Sequence, residues 1–364
     1  MTAPALQMTR ITRNFGALTA LDGIDLTLEQ GAFVALLGPA GAGKTTTLRI
    51  AAGLEVPDSG QVLINGQDAT ALAPKDRDVA MIFDSLALYP HKTGFENIAN
   101  PLRLRGLDRQ TISAQVDAVA QTLKIGHILG RKPRTMSGGE RQRIALGRAL
   151  VRDPAFFLLD EPLSSLDAKL RVELRAELRR LQRERGASFL YATPDYSEAM
   201  AVADSVVLIF DGQVRQVARP QVLYDRPADT RVACFVGAPE INLVEADYDP
   251  ADGGRLLLGG LMTQASPAHH HLFNGTPHRF EAGFRPEQIL IAPPGTEGAN
   301  GKVLDSEPLG LKSAITVETS AGPLRASVPE HIGAQLGIGA PVAVSFDVEH
   351  SLCFDPQAGT LLER

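Results

Sequence analysis

The chain has 364 residues, 44% hydrophobic and 21% charged, so it is globular and long enough for two or three domains with proper cores. A net charge of -6, with no block of lysine and arginine, argues against a nucleic-acid partner and points to protein partners. Cys234 and Cys353 lie far apart without CxxC spacing, which suggests neither a disulfide framework nor a zinc site and fits a reducing cytoplasm. No apolar run reaches the roughly 18 residues of a membrane span, and no basic-then-apolar leader opens the sequence, so any membrane role is expected through a docked subunit.

The opening alternates strand-like segments with turns, Leu6 to Ile11 and then Ala20 to Leu28, with breaks at Asp22-Gly23 and Gln30-Gly31. It reads as a small antiparallel sheet. Phe15, just before Gly16, falls in a polar loop, where an aromatic serves either as a stacking platform for adenine or as local packing.

Next comes the apolar run Phe33 to Leu37, the loop Gly38-Pro39-Ala40-Gly41-Ala42-Gly43-Lys44-Thr45-Thr46, and Thr47 to Ala51. This is a strand, a glycine loop and a helix. The glycines let backbone N–H groups wrap a polyphosphate, and the helix N-terminus adds partial positive charge. In the GxxxxGK[ST] pattern Lys44 reaches the β- and γ-phosphates and Thr45 places its hydroxyl on Mg²⁺.

Gln61 to Ile64 and Val79 to Phe83 read as further strands, with Asn65-Gly66 as a hairpin turn. From Thr93 to about Arg134 the text becomes helical and polar, an insertion on an α/β body. Met136-Ser137-Gly138-Gly139-Glu140-Arg141-Gln142-Arg143 then runs into a helix from Ile144 to Val151. Ala155 to Leu159 is apolar at every position, as a strand buried on both faces would be, and it ends on Asp160-Glu161. There one carboxylate holds Mg²⁺ through water and the next polarises the attacking water.

Lys169 to Arg185 is a charged helix with Leu170, Leu174, Leu178 and Leu181 on one stripe, closed by Gly186. Ser188 to Thr193, Ser205 to Phe210 and Gln213 to Val217 complete a doubly wound α/β sheet. Beyond about Gly237 short β-like runs, many glycines and prolines and little helical periodicity announce an all-β second domain, expected as a small barrel. His269-His270-His271, with His278, is expected on a solvated loop rather than around a metal.

Ser137-Gly138-Gly139-Glu140, with Arg141-Gln142-Arg143 behind it and the Asp160-Glu161 strand soon after, resembles the signature of ABC ATPases. The resemblance covers the whole chain. It implies an α/β P-loop NTPase with a RecA-like core and a helical subdomain near 86–154, over residues 1–237. It also implies a C-terminal all-β, OB-like barrel of the TOBE type over 238–364. In that family the signature caps ATP held by a second cassette, so Ser137, Gly138, Gly139 and Glu140 are expected to meet nucleotide across a dimer interface. Ser164-Ser165-Leu166-Asp167 is similar to the D-loop, with Asp167 contacting the opposing site, and Phe15 matches the adenine-stacking aromatic.

Leu86 to His91, Phe235 to Asn242, Gly283 to Glu287, Glu307 to Gly310 and Phe354 to Pro356 are similar to the maltose-type branch that serves sugar, glycerol and glycerol-phosphate importers. The resemblance thus implies ATP and Mg²⁺ as cofactors, transmembrane permease subunits as partners, a solute-binding protein indirectly, no nucleic acid, and a peripheral place on the cytoplasmic face of the inner membrane.

At two positions the chain departs from the family. Asp84 stands where a glutamine ligates Mg²⁺ and senses the transmembrane subunit, and Pro194 stands where a histidine touches the γ-phosphate. Asp84 retains a metal-binding carboxylate; Pro194 carries no polar side chain. The signature half of the composite site is complete while the hydrolytic half is damaged. This division implies a second, non-identical ATPase subunit, with a homodimer as the alternative, and leaves open a subunit that binds nucleotide only as a scaffold.

Overall fold

The structure, a computed structural model, describes residues 3–83, 85–164, 166–292 and 298–362. It forms two compact units, Met1–Pro220 and Gln221–Arg364, a division at 220 whereas the sequence sets the domain boundary at 237. Asp84 and Ser165 lie outside the described residues.

The first unit runs β1 (Leu6–Phe15), β2 (Leu18–Leu28), β3 (Phe33–Leu37), α1 (Lys44–Ala52), β4 (Ser59–Ile64), β5 (Gln67–Asp68) and β6 (Val79–Ile82). Then come α2 (Gly94–Leu104), α3 (Arg109–Thr122), α4 (Gly138–Leu150), β7 (Phe156–Asp160) and α5 (Ala168–Arg185). It closes with β8 (Phe189–Thr193), α6 (Tyr196–Val202), β9 (Ser205–Phe210) and β10 (Gln213–Ala218). Strands β9, β3, β8, β7 and β6 are parallel neighbours in that order, and β10 adds an antiparallel edge. A second, antiparallel sheet has the order β2-β1-β4-β5. Every residue of β3, β7 and β8 is buried, as expected where both faces of a parallel sheet are covered.

Alternation along these strands divides the core. Val34, Leu36, Phe156, Leu158, Leu190 and Ala192 face the antiparallel sheet and α1. Phe33, Phe157, Phe189 and Tyr191 face the opposite side and share a core with α2, α3, α4 and α5. There Phe189 stacks between Phe157 and Phe33, with ring centroids 4.7 and 5.3 Å away. The antiparallel sheet holds one difference from the sequence reading. Phe15 is not in a loop: pairing continues past Ile11 to Phe15 opposite Leu18, so the aromatic ends a strand.

The second unit comprises α7 (Pro220–Asp225), α8 (Thr230–Phe235), β11 (Asn242–Asp249), β12 (Arg255–Leu258), β13 (Leu261–Gln264), α9 (Pro267–Leu272) and β14 (His278–Phe284). It continues with β15 (Ile289–Ala292), β16 (Gly301–Pro308), β17 (Lys312–Thr319), β18 (Gly322–Pro329), α10 (Glu330–Gly333), β19 (Pro341–Phe346) and β20 (Leu352–Phe354). Two antiparallel sheets, β13-β12-β11-β14-β20 and β15-β19-β16-β17-β18, enclose one core, and the second curls so that β15 and β18 approach each other.

Arg285, 3% exposed, ties α7 and α8 to this unit: its guanidinium donates to the carbonyls of Tyr224 at 2.7 Å, Ala233 at 2.8 Å and Val236 at 2.5 Å. The histidine run departs from the solvated loop expected of it. It lies in α9, where Pro267 in the first turn favours a short helix, and His269 is buried between the hydroxyls of Ser266 at 2.7 Å and Ser351 at 3.1 Å.

Candidate functional site

The loop between β3 and α1 is shaped by what its glycines touch. A side chain on Gly38 would stand 2.2 Å from the Ile209 carbonyl oxygen. One on Gly43, whose φ is +105°, would stand 2.6 Å from Leu21 Cδ2 and 2.7 Å from the Ala20 carbonyl oxygen. Only glycine allows β2 and β9 to close so tightly on the loop. The tip, Ala40 and Gly41, is exposed.

Two side chains on the first turn of α1 join this loop to the end of β7. Lys44, 4% exposed, donates from Nζ to the carbonyls of Gly38 and Pro39, each at 2.9 Å, and lies 3.7 Å from Glu161 Oε1. Burial pulls its pKa below the ordinary lysine value, while the charges of Glu161 and Asp160 oppose that shift. Thr45 donates its hydroxyl to Asp160 Oδ1 at 3.1 Å, and Thr47 bonds back to the Gly43 carbonyl at 3.0 Å.

The two carboxylates that follow one another in sequence have different settings. Asp160 is 2% exposed at the last position of β7, whereas the Glu161 side chain is 32% exposed and its backbone turns to φ +44°. A non-glycine residue in the left-handed region costs about 1–3 kcal/mol and persists only where its surroundings hold it. Here the Glu161 N–H donates to the Ala192 carbonyl of β8 at 3.0 Å.

Ser137, Gly138, Gly139 and Glu140 build a second locus. The helix begins six residues before Ile144, because Ser137 caps it. Its hydroxyl accepts from Glu140 N at 3.2 Å and the Glu140 carboxylate accepts from Ser137 N at 2.7 Å, a reciprocal capping box. The Ser137 N–H bond, and then the Arg131 charge, hold the Glu140 carboxyl below the ordinary range. A side chain on Gly139 would stand 2.3 Å from Leu170 Cδ2, so α4 starts against the start of α5. Asp167 caps α5, accepting from Leu170 N at 2.9 Å. A cavity of about 370 Å³ is lined by all four of these residues with Leu166, Asp167 and Leu170, and by Lys124 and His127, which sequence reasoning missed. None of its lining residues belongs to the loop at 38–45. The loop at 38–45 and the segment 137–140 thus open two separate helices, α1 and α4, at two separate loci.

Phe15 is 44% exposed, and the Arg13 guanidinium lies over its ring at 4.8 Å. Its hairpin is joined to the loop: Arg13 pairs with Leu21, whose side chain closes on Gly43. Pro194 is an exposed bend after β8. Beside it lies a buried network that the sequence did not announce. The Glu198 carboxylate accepts from Tyr191 at 2.7 Å and Thr193 at 2.9 Å and lies 3.5 Å from Arg171 Nε. Burial, and then the Glu198 charge, push the Tyr191 hydroxyl well above its usual pKa.

Comparison with known proteins places these features in context. The ABC transporter family profile matches residues 21–164 and the TOBE domain profile matches 282–354. The chain is 39% identical over 361 residues to the sn-glycerol-3-phosphate import ATP-binding protein UgpC of Ralstonia nicotianae, covering 98% of both chains. It is 46% identical over 295 residues to the protein of the same name in Chromobacterium violaceum, covering 81% of this chain and 79% of that one. Among solved structures it is similar to the dimeric bacterial ABC transporter cassette MJ0796. That match has TM-score 0.56 and 25% identity, over 59% of this chain and 98% of that one. The same cassette in a post-hydrolysis state bound to ADP and Pi gives TM-score 0.55.

Proposed function

The chain belongs to the ABC transporter family of ATP-binding proteins that carry a TOBE domain, and on that premise we propose that it is the ATP-binding subunit of an importer. Its solute is a small polar compound of the sugar, glycerol or glycerol-phosphate class, the last being what its relatives are named for. The observation that carries this reading is the joining of Lys44 and Thr45 to Asp160 and Glu161 beneath a glycine loop that admits no side chain at Gly38 or Gly43.

Backbone N–H groups of residues 38–46 wrap the phosphates, the Lys44 ammonium leaves the loop carbonyls for the β- and γ-phosphates, and Phe15 receives the adenine. The Thr45 hydroxyl and the Asp160 carboxylate, 3.1 Å apart, are hard oxygen donors of the kind Mg²⁺ takes, with Asp84 as a further donor suggested by sequence alone. When bound, the metal neutralises charge on the phosphates. Glu161 is the residue that would orient a water attacking at this site, where turnover is slow. No described helix is long and apolar enough to cross a membrane. As a subunit of an importer the chain would be held by transmembrane permease subunits, peripherally at the cytoplasmic face of the membrane.

We further infer that the chain works beside a second, non-identical ATPase subunit. Pro194 offers no polar group where the family places a γ-phosphate contact, and the loss of one preorganised contact costs roughly 10²- to 10³-fold in rate. Ser137, Gly138, Gly139, Glu140 and Asp167, by contrast, line one cavity, which supports reading them as a half-site for nucleotide held by a partner. The test is ATP turnover of this chain alone and mixed with a second ATPase subunit, with and without Glu161→Gln. Turnover only in the mixture, insensitive to the substitution, supports the unequal pair. Rapid turnover by the chain alone, abolished by Glu161→Gln, overturns it.

A further inference from the structure

We propose that Arg13 is a positioning residue for the nucleotide base, fixing the ring of Phe15 so that one face is held by a guanidinium and the other is presented to adenine. The inference rests on the reading of Phe15 as the adenine platform. Residues 13 and 15 lie two apart on β1, so their side chains share a face of the strand. The Arg13 guanidinium sits 4.8 Å from the Phe15 centroid, within cation–π range.

That guanidinium is not free to wander. One nitrogen donates to Asp58 Oδ1 at 2.8 Å and another to Glu55 Oε2 at 3.0 Å, both acids belonging to the turn before β4. The second oxygen of Asp58 accepts from Asn14 N at 2.7 Å and from Asn14 Nδ2 at 3.0 Å, so the residue between Arg13 and Phe15 is held by the same carboxylate. Asp58 N in turn donates to the Thr12 carbonyl at 2.8 Å. An exposed phenylalanine at a strand end would otherwise sample several rotamers, and ordering it would fall on the binding step. Here the ordering is built in. A cation on the far face also draws density from the ring and favours stacking of an electron-rich purine on the near face. Leu21, the strand partner of Arg13, closes on Gly43, so platform and phosphate loop share one frame.

The test separates base from phosphate. Affinities for Mg-ATP and for Mg-tripolyphosphate, which has no base, are measured on the full chain for the wild type, Phe15→Ala, Arg13→Ala, Arg13→Lys and Glu55→Gln. The wild type is expected to prefer ATP, and Phe15→Ala to abolish that preference. Arg13→Ala should weaken ATP about 3- to 10-fold and leave tripolyphosphate unchanged. Arg13→Lys and Glu55→Gln should lose less in the same ratio, since lysine cannot span both acids and glutamine keeps a weaker acceptor. If Phe15→Ala collapses the preference and Arg13→Ala does not change it, the role of Arg13 is refuted while the platform stands. Equal loss of both ligands in Arg13→Ala also refutes it, as that reports a disturbed loop. No effect of Phe15→Ala on the preference overturns the platform reading itself.

Discussion

Replacing Gly43 by alanine isolates the packing that shapes the phosphate loop. At φ +105° any side chain is strained, and a left-handed backbone costs an L-residue about 1–2 kcal/mol. In addition its Cβ would stand 2.6 Å from Leu21 Cδ2 and 2.7 Å from the Ala20 carbonyl oxygen. The second contact is with backbone, so either the β1–β2 hairpin or the loop must move, and overpacking of that kind costs about 1–3 kcal/mol. The sum is about 2–5 kcal/mol, which for a unit of this size lowers the unfolding temperature by about 4–20 °C.

Gly41 provides the control. Its φ is +79°, and a Cβ there meets nothing within 4 Å, so Gly41→Ala carries the backbone cost alone. Calorimetric unfolding without nucleotide should therefore rank the wild type above Gly41→Ala and Gly41→Ala above Gly43→Ala, the last two separated by about 1–3 kcal/mol. ATP binding should follow the same order for Gly43→Ala, because a displaced hairpin also displaces Phe15. A Gly43→Ala protein as stable as Gly41→Ala would refute the steric argument.

Arg285→Met should destabilise the second unit by about 3–5 kcal/mol, since two buried carbonyls and one part-buried carbonyl lose a charged donor, and the loss appears as a lower unfolding temperature for that transition. Ser137→Ala removes a capping box and should cost about 1 kcal/mol of stability, whereas Ser137→Thr should keep most of it, as read by thermal unfolding. The Glu140 carboxyl is held below its ordinary value in the folded chain, so its contribution is complete above the ordinary carboxylate pKa. It is lost as pH falls through the depressed folded value. Stability measured from pH 7 down to 3 should fall less steeply at the acid end in Glu140→Gln than in the wild type.

Much of this fold was written in local patterns. The β3–loop–α1 segment combines an all-apolar strand, glycines and a lysine-threonine pair, and each part constrains the next. The helix from Lys169 to Arg185 likewise announces itself, with leucines at helical spacing and Gly186 in the left-handed closing position. Local pattern fails where long-range contacts decide. The start of α4 was hidden because Gly138 to Arg143 has no apolar period; the reciprocal bonds of Ser137 and Glu140 start that helix. Phe15 is brought into a strand by pairing with Leu18 across the turn. His269 is buried by Ser351, 82 residues away, a partner no local reading could supply. The buried carboxylate of Glu198 beside Pro194, and Lys124 and His127 beside the signature, gather from separate elements and leave no spacing signal.

If this chain lends Ser137 to Glu140 to a partner's ATP while its own site turns over little, a pair of substitutions in the assembled transporter should have opposite effects. ATP turnover of the two-ATPase complex is measured with Ser137→Arg and, separately, with Glu161→Gln in this chain. Ser137→Arg is expected to abolish turnover and Glu161→Gln to leave it close to the wild-type rate. Loss of turnover in Glu161→Gln with retention in Ser137→Arg, or equal loss in both, would contradict that expectation.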